Sequence, residues 1–235
     1  MSIFTSLSIV VISMLIIASL KLVPGVFGLF YHYALGKYSA RKVSDLSIFF
    51  IFGVEILPAL IFILLNLILF ALSFTAINLS SEIFSWTMAG LLIALGFAYF
   101  CFYFRSETGT KLFISRRSAA NFEQKAKLVK NRSDAFILGF VSGIPELIFS
   151  LPLYLLVLIS VTKDFAQMFP PSLIIAPFIL ITICPLFFVY AYFRSGNNLA
   201  NFLKLRIKNK LFFRLFTSIL YLLLAILIIF FRIIL

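Results

Sequence analysis

Residues 46–75 read LSIFFIFGVEILPALIFILLNLILFALSFT, thirty residues whose only charge is Glu55. A helix of about 20 apolar residues crosses a hydrocarbon core of about 30 Å, so this stretch is long enough to span a bilayer. Working outward, five more runs have the same character, at roughly 7 to 35, 83 to 104, 135 to 161, 172 to 192 and 211 to 235. The whole chain of 235 residues is 63% hydrophobic and 12% charged, with a mean hydropathy of +1.15. Soluble domains run about 25% charged, so most of the outer surface must face lipid. The expected fold is an all-α integral membrane protein of six transmembrane helices, forming a single transmembrane domain over residues 1–235. The first run lacks the preceding positive residues of a secretory signal, and it is expected to stay in the mature protein.

The charges fix an orientation. Lys and Arg number 20 against 8 Asp and Glu, a formal +12. In a soluble chain that excess suggests nucleic acid, but here the positive-inside rule is the better reading and no nucleic-acid partner is expected. The connection after the first run holds Lys37, Arg41 and Lys42. The connection after the third, a basic loop over about 105–134, holds eight cations from Arg105 to Arg132, and the connection after the fifth holds six from Arg194 to Arg214. Thus 17 of the 20 positive charges fall on alternate connections, which the rule makes cytoplasmic. The expected location is the cell membrane, multi-pass, with both termini outside.

Within the third connection, Ser118 is placed to cap a short helix with Ala119, Phe122, Ala126 and Val129 on one face and Glu123, Lys125, Lys127 and Lys130 mostly away from it. Leu199, Phe202, Leu203 and Ile207 form a similar segment among Lys204, Arg206, Lys208 and Lys210. Both are expected on the inner leaflet, with anionic lipid headgroups as partner at about 1 kcal/mol per basic residue. The tetrad Tyr-Phe-Arg-Ser occurs at 103 to 106 and at 192 to 195, each ending a helix with an aromatic belt and a snorkelling arginine.

Pro and Gly interrupt four runs: Pro24-Gly25 in the first, Gly53 and Pro58 in the second, Gly143, Pro145 and Pro152 in the fourth, and Pro177 and Pro185 in the fifth. Breaks free backbone groups that lipid cannot satisfy, so helices 1, 2, 4 and 5 are expected to be broken, with mid-depth breaks facing inward. Three of these runs also carry charge: Lys21 precedes Pro24, Glu55 lies between Gly53 and Pro58, and Glu146 follows Pro145. Glu55 is 10 residues beyond Asp45 and Glu146 is 12 beyond Asp134. At a rise of about 1.5 Å per residue, both glutamates are about 15–18 Å deep if the aspartates mark the interface. An unpaired charge there costs at least about 2.5–3.5 kcal/mol, so Lys21, Glu55 and Glu146 are expected to face the bundle interior together.

One lysine and two glutamates leave a carboxyl without a fixed partner. Such a group is costly when ionised, and it can exchange a proton for a cation or an amine. The alternative is a structural Lys-Glu pair with the other glutamate neutral or snorkelling. The expected substrate-binding set is Lys21, Pro24, Gly25, Glu55, Pro58, Asn66, Gly143, Pro145 and Glu146. Ser150, Tyr154 and Thr182 either add to that shell or bond to their own helix backbone. His32 is the sole histidine and makes no metal site by itself. Cys101 and Cys184 are expected as buried free thiols. Phosphate-binding Gly loops, HExxH, nucleophile elbows and paired cysteines are all missing from the sequence, so no cofactor and no enzyme chemistry is expected.

Val23-Pro24-Gly25-Val26-Phe27 overlays Ile144-Pro145-Glu146-Leu147-Ile148, each opening a set of three helices. Two such halves, about 1–117 and 118–235, cross the membrane in opposite directions, as in inverted-repeat transporters. The chain resembles the LysE-type superfamily of small exporters. The resemblance lies in Pro24-Gly25 late in the first span, the basic stretch Lys37 to Lys42 before a second span with Gly53, and Gly90-Leu91-Leu92-Ile93-Ala94-Leu95-Gly96 in the third. The long charged third loop, and Phe136-Ile137-Leu138-Gly139 followed by Pro145, add to it. It implies six helices in two inverted halves and export of a small solute or cation. The first span lacks the family's fuller Gly-Pro-Gly-Pro run and adds Lys21, and no mid-depth aspartate pattern of manganese exporters is present. The alternatives are a membrane subunit that docks a partner through its polybasic loops, and a lipid-handling protein with an acyl groove among the 31 Phe residues. A homo-oligomer is compatible with all three.

Overall fold

A computed structural model describes residues 3–34, 39–73, 82–102, 124–164, 172–194 and 208–233. The described part is all-helical, with six long helices: α1 (Ile3–Ala34), α2 (Ala40–Ser73), α3 (Glu82–Phe102), α4 (Arg132–Asp164), α5 (Ser172–Arg194) and α6 (Lys210–Ile233). Four stretches are long and apolar enough to cross a bilayer: Phe4–Lys21, Arg41–Ile68, Phe84–Cys101 and Leu211–Phe230. Arg132–Ile144 and Glu146–Ser160 make a fifth if their 71° bend is taken as one broken span, and Phe178–Tyr192 is a shorter apolar helix. The protein is a multi-pass membrane protein on this architecture, and many of its exposed large residues are apolar, among them Leu64, Leu67, Phe97, Ile148 and Phe188.

The expectation of four broken helices holds only for α4, which bends at Pro145. Helix α2 runs through Gly53 and Pro58 without interruption, α1 runs through Pro24-Gly25, and α5 through Pro177 and Pro185. A helical proline removes one backbone bond, and neighbouring helices can absorb that loss without a break. Gly53 serves packing instead. A Cβ on Gly53 would collide with the Phe136 carbonyl of α4, and one on Gly139 would collide with the Phe50 carbonyl of α2. The two backbones therefore touch, as small residues permit in membrane helix pairs. Gly143, one turn beyond Gly139, keeps the same close approach, since its Cβ would lie 3.1 Å from the Val54 carbonyl oxygen.

Helix directions follow from contacts at the ends. Arg132 bonds Asp45 at 2.7 Å, so α2 and α4 begin on the same side. Ser44 shares a hydrogen bond with Tyr190, which brings the end of α5 to that side. The Arg214 guanidinium lies 4.3 Å over the Phe100 ring, pairing the start of α6 with the end of α3. The connection from Ala34 to Ala40 spans at most about 20 Å, far less than the helices it joins, so α1 must run antiparallel to α2 and hence to α4. All exposed described cations, from Arg41 and Lys42 through Lys125, Lys127, Lys130, Arg132, Arg194 and Lys208, then cluster on one face, called the basic face below.

Helix α1 is central, packing against α2, α4, α5 and α6, while α2 packs mainly on α4 and α3 on α6. The buried apolar residues divide into two clusters. Towards the basic face lie Leu46, Phe50, Ile51, Val54, Ala135, Leu138, Leu186 and Val189. Towards the opposite face lie Ile9, Ile16, Ile17, Phe62, Leu92, Phe149, Leu153, Phe178 and Leu224, with Tyr99, Tyr154 and Tyr221. Each of α2, α4 and α5 contributes to both clusters, with a gap between its two contributions.

Three expectations meet the described residues differently. Cys101 and Cys184 are exposed rather than buried, because both fall on the outward side of their apolar helices, where a thiol is as well accommodated as any small apolar group. Residues 124–128 are helical, with Ala126 and Val129 buried and Lys125, Lys127 and Lys130 exposed, as the amphipathic pattern requires. Ser118, Ala119, Phe122 and Glu123, the segment from Leu199 to Ile207, residues 103–106 and Ser195 lie outside the described residues, as do the side chains of Pro24, Gly25, His32, Pro145 and Pro177.

Candidate functional site

The gap between the two apolar clusters holds the buried charges. On α2 it falls between Val54 and Phe62 and contains Glu55; on α4 it falls between Leu138 and Phe149 and contains Ser142 and Glu146; on α5 it contains Thr182. Lys21 enters from α1. Relative exposures are 0% for Lys21, 5% for Glu55 and 6% for Glu146, so all three side chains are buried.

Lys21 Nζ donates to Glu55 Oε1 in a buried ion pair. Charges removed from water at this depth persist only when paired in good geometry, and this pair links α1 to α2 at the point where the cores separate. The charges of Lys21 and Glu55 both act on Glu146, which places the three groups in one electrostatic neighbourhood. Glu146 is the odd member. Neither Oε1 nor Oε2 has a hydrogen-bond partner among the described residues. A buried polar atom without a partner is rare in folded proteins and marks a strained, ligand-binding or solvated position.

The surrounding hydroxyls divide cleanly. Ser142 donates to the Gly139 carbonyl at 2.7 Å, Ser150 to the Glu146 carbonyl at 3.1 Å and Thr182 to the Ile179 carbonyl at 2.9 Å. These bonds return to their own helices, so the donor protons of Ser150 and Thr182 are already used. Tyr154 differs. Its ring packs edge-on against Phe62 and Phe178, with centroids 5.7 and 5.9 Å away, while Phe62 and Phe178 stack at 4.9 Å. This trio ties α2, α4 and α5 together just beyond the charged layer. The Tyr154 hydroxyl lies near Ser150 and within the field of Glu146 but has no partner at hydrogen-bond geometry. The Tyr221 hydroxyl, also near Glu146, donates to the Phe149 carbonyl at 3.0 Å.

Of the residues singled out in the sequence, the structure brings together Lys21, Glu55 and Glu146. Pro58 is buried one turn beyond Glu55. Gly143 is buried but faces the Val54 backbone, so its role is to seat α4 on α2. Asn66 is half-buried and three turns along α2 from Glu55, about 16 Å by helical rise, and does not join the cluster. Tyr221 and Ser13 are buried polar groups that sequence reading missed; Tyr221 lies on a helix without Pro or Gly, and Ser13 lies 11 residues before Pro24 in α1. Among the described residues no group of three or more His, Cys, Asp or Glu side chains is placed to hold a metal ion.

No protein-family model, curated protein or solved structure significantly matches the chain.

Proposed function

We propose that the protein is a secondary carrier, similar in plan to the LysE-type exporters, that moves a small solute or cation in exchange for protons through Glu146. The observation that carries this reading is the Glu146 carboxylate, buried beside a Lys21–Glu55 pair with both oxygens unpartnered. One ammonium and two carboxylates sum to a single negative charge, so the layer is neutral when it holds one proton or one monovalent cation. Apolar clusters on both sides leave the layer occluded, the state through which an alternating-access carrier passes.

The same reading has six spans, since each long helix has at least 21 residues. It also has two inverted halves of three helices. Exchanging the halves turns the α1/α5 contact into α2/α4 and α1/α6 into α3/α4, while α1/α4, α2/α5 and α3/α6 map onto themselves; the α1/α2 contact is the exception, with no comparable α4/α5 contact among the described residues. The basic face is then cytoplasmic and the termini outside the cell membrane. Anionic inner-leaflet lipids are the expected partner of that face. A groove of about 290 Å³ there, between residues 124–128 and the start of α4, has Lys125 at its rim and Leu128, Ile137 and Val141 along its walls.

Proteoliposomes enclosing a pH indicator test the reading. With opposed gradients of Na⁺, K⁺, tetramethylammonium or L-lysine, wild-type protein is expected to move protons against at least one of the four. Glu146→Gln is expected to abolish that movement. Proton movement with none of the four, or movement unaffected by Glu146→Gln and Glu55→Gln alike, would overturn it.

A further inference from the structure

The groove on the basic face combines a shape and a charge that together specify an occupant. Lys125, Leu128 and Val129 form one wall, and Ile137, Leu138 and Val141 of α4 form the other. Positions 137, 138 and 141 share one side of α4, turned away from Gly139 and Gly143, which meet α2. Ala126 and Val129 are buried in the apolar cluster of the basic side, so packing fixes the segment 124–128 beside α4 and holds the groove in shape. Leu138 and Val129 are buried at its floor, whereas Leu128, Ile137 and Val141 are 68%, 59% and 41% exposed.

The groove also has a direction. Helix α4 enters the bilayer from the basic face, so with Asp134 at the interface Val141 stands about 10 Å deeper by helical rise. The occupant therefore begins in the headgroup layer and ends in hydrocarbon. A peptide lying there would leave backbone groups unsatisfied at the deep end, while an acyl chain would not. At the shallow end Lys125, Lys127 and Lys130 are exposed. The carboxylates nearby are engaged: Asp134 Oδ2 accepts the backbone N–H groups of Lys130 and Asn131 at 3.1 and 3.2 Å, and Asp45 accepts from the Arg132 guanidinium at 2.7 Å. The mouth is thus net positive and favours a headgroup with net negative charge over a zwitterionic one.

We propose that this groove binds one anionic phospholipid, with its phosphate beside Lys125 and the first part of one acyl chain along Leu128, Ile137 and Val141. The site rests on the membrane placement given above and does not depend on carriage. Native mass spectrometry of the full-length protein in detergent tests it without turnover, so a failure of the carrier reading leaves it standing. The probes are dioleoyl phosphatidylglycerol, dioleoyl phosphatidylcholine and glycerophosphate, which carries the charge without the chains. Phosphatidylglycerol is expected to bind at least about tenfold more tightly than phosphatidylcholine, and Lys125→Gln to weaken it about fivefold while leaving phosphatidylcholine unchanged. Val141→Trp fills the groove and is expected to weaken both lipids. Lys125 and Val141 are exposed, so both variants keep the core packing. Lys208→Gln, a change on the basic face outside the groove, is expected to leave both lipids unaffected, and glycerophosphate to displace neither. Equal affinity for the two lipids, a preference that survives Lys125→Gln or Val141→Trp unchanged, or displacement by glycerophosphate would overturn the site.

Discussion

The two halves of the core close the charged layer by different means. On the basic side, α2 and α4 approach until their backbones touch, and the buried serines Ser47 and Ser142 bond to their own helices. The ends are then tied by Arg132 to Asp45 and by Ser44 to Tyr190. On the other side, closure relies on the rings of Phe62, Tyr154 and Phe178, with orphaned hydroxyls beside them. Backbone contact can open only if whole helices separate, whereas aromatic rings can change rotamer while the helices stay in place. On the carrier reading, the basic side is expected to be the stiffer seal and the opposite side the one that yields first.

Substitutions can break or sharpen that contrast. The largest effect is expected where the halves meet. Lys21→Met leaves Glu55 buried without its partner and should cost about 3–5 kcal/mol, read as a lowered unfolding midpoint in detergent. Adding Glu55→Leu should recover most of the loss, and a double variant no better than the single one would refute the pairing. Next comes the stiff seal. Gly139→Ala drives a methyl into the Phe50 carbonyl and should cost about 1–3 kcal/mol or more, while Gly90→Ala, with nothing within 4 Å of its Cβ, should be neutral or slightly stabilising. Equal tolerance at both glycines would remove the distinction. On the opposite side, Tyr221→Phe deletes the bond to the Phe149 carbonyl and should cost about 1 kcal/mol. Smallest is the rim. Asp45 and Arg132 are both largely solvated, so Asp45→Asn should change stability by less than about 1 kcal/mol, and less again in high salt.

Much of this arrangement was legible in the sequence, for one physical reason. In a chain with so few charges, a lysine or glutamate inside an apolar run cannot face lipid, so Lys21, Glu55 and Glu146 had to meet. Counting residues from Asp45 and Asp134 set both glutamates at one level, and the structure has them in the gap between the two apolar clusters. What the sequence concealed depends on which way a residue faces around its helix. Gly53 and Pro58 look like a break, but Gly53 is spent on contact with Phe136 and the helix continues. The Gly139/Gly143 pair, spaced four apart, carried a packing signal that the proline beside it obscured. Asn66 shares an apolar run with Glu55 but lies too far along it, and Cys101 and Cys184 sit in apolar runs yet face outward. Tyr154 and Ser150 were visible as polar residues at a spacing of four from Glu146, although only the structure separates the bonded hydroxyl from the orphaned one.

The central claim is that Glu146, and not Glu55, is the carboxyl that carries the exchangeable proton. Infrared difference spectroscopy of the carboxylic-acid C=O stretch in purified protein at neutral pH tests it without any substrate. A single buried carboxylic-acid band is expected in the wild type, lost in Glu146→Gln and retained in Glu55→Gln. A spectrum unchanged by Glu146→Gln, or a band removed by Glu55→Gln instead, would contradict it.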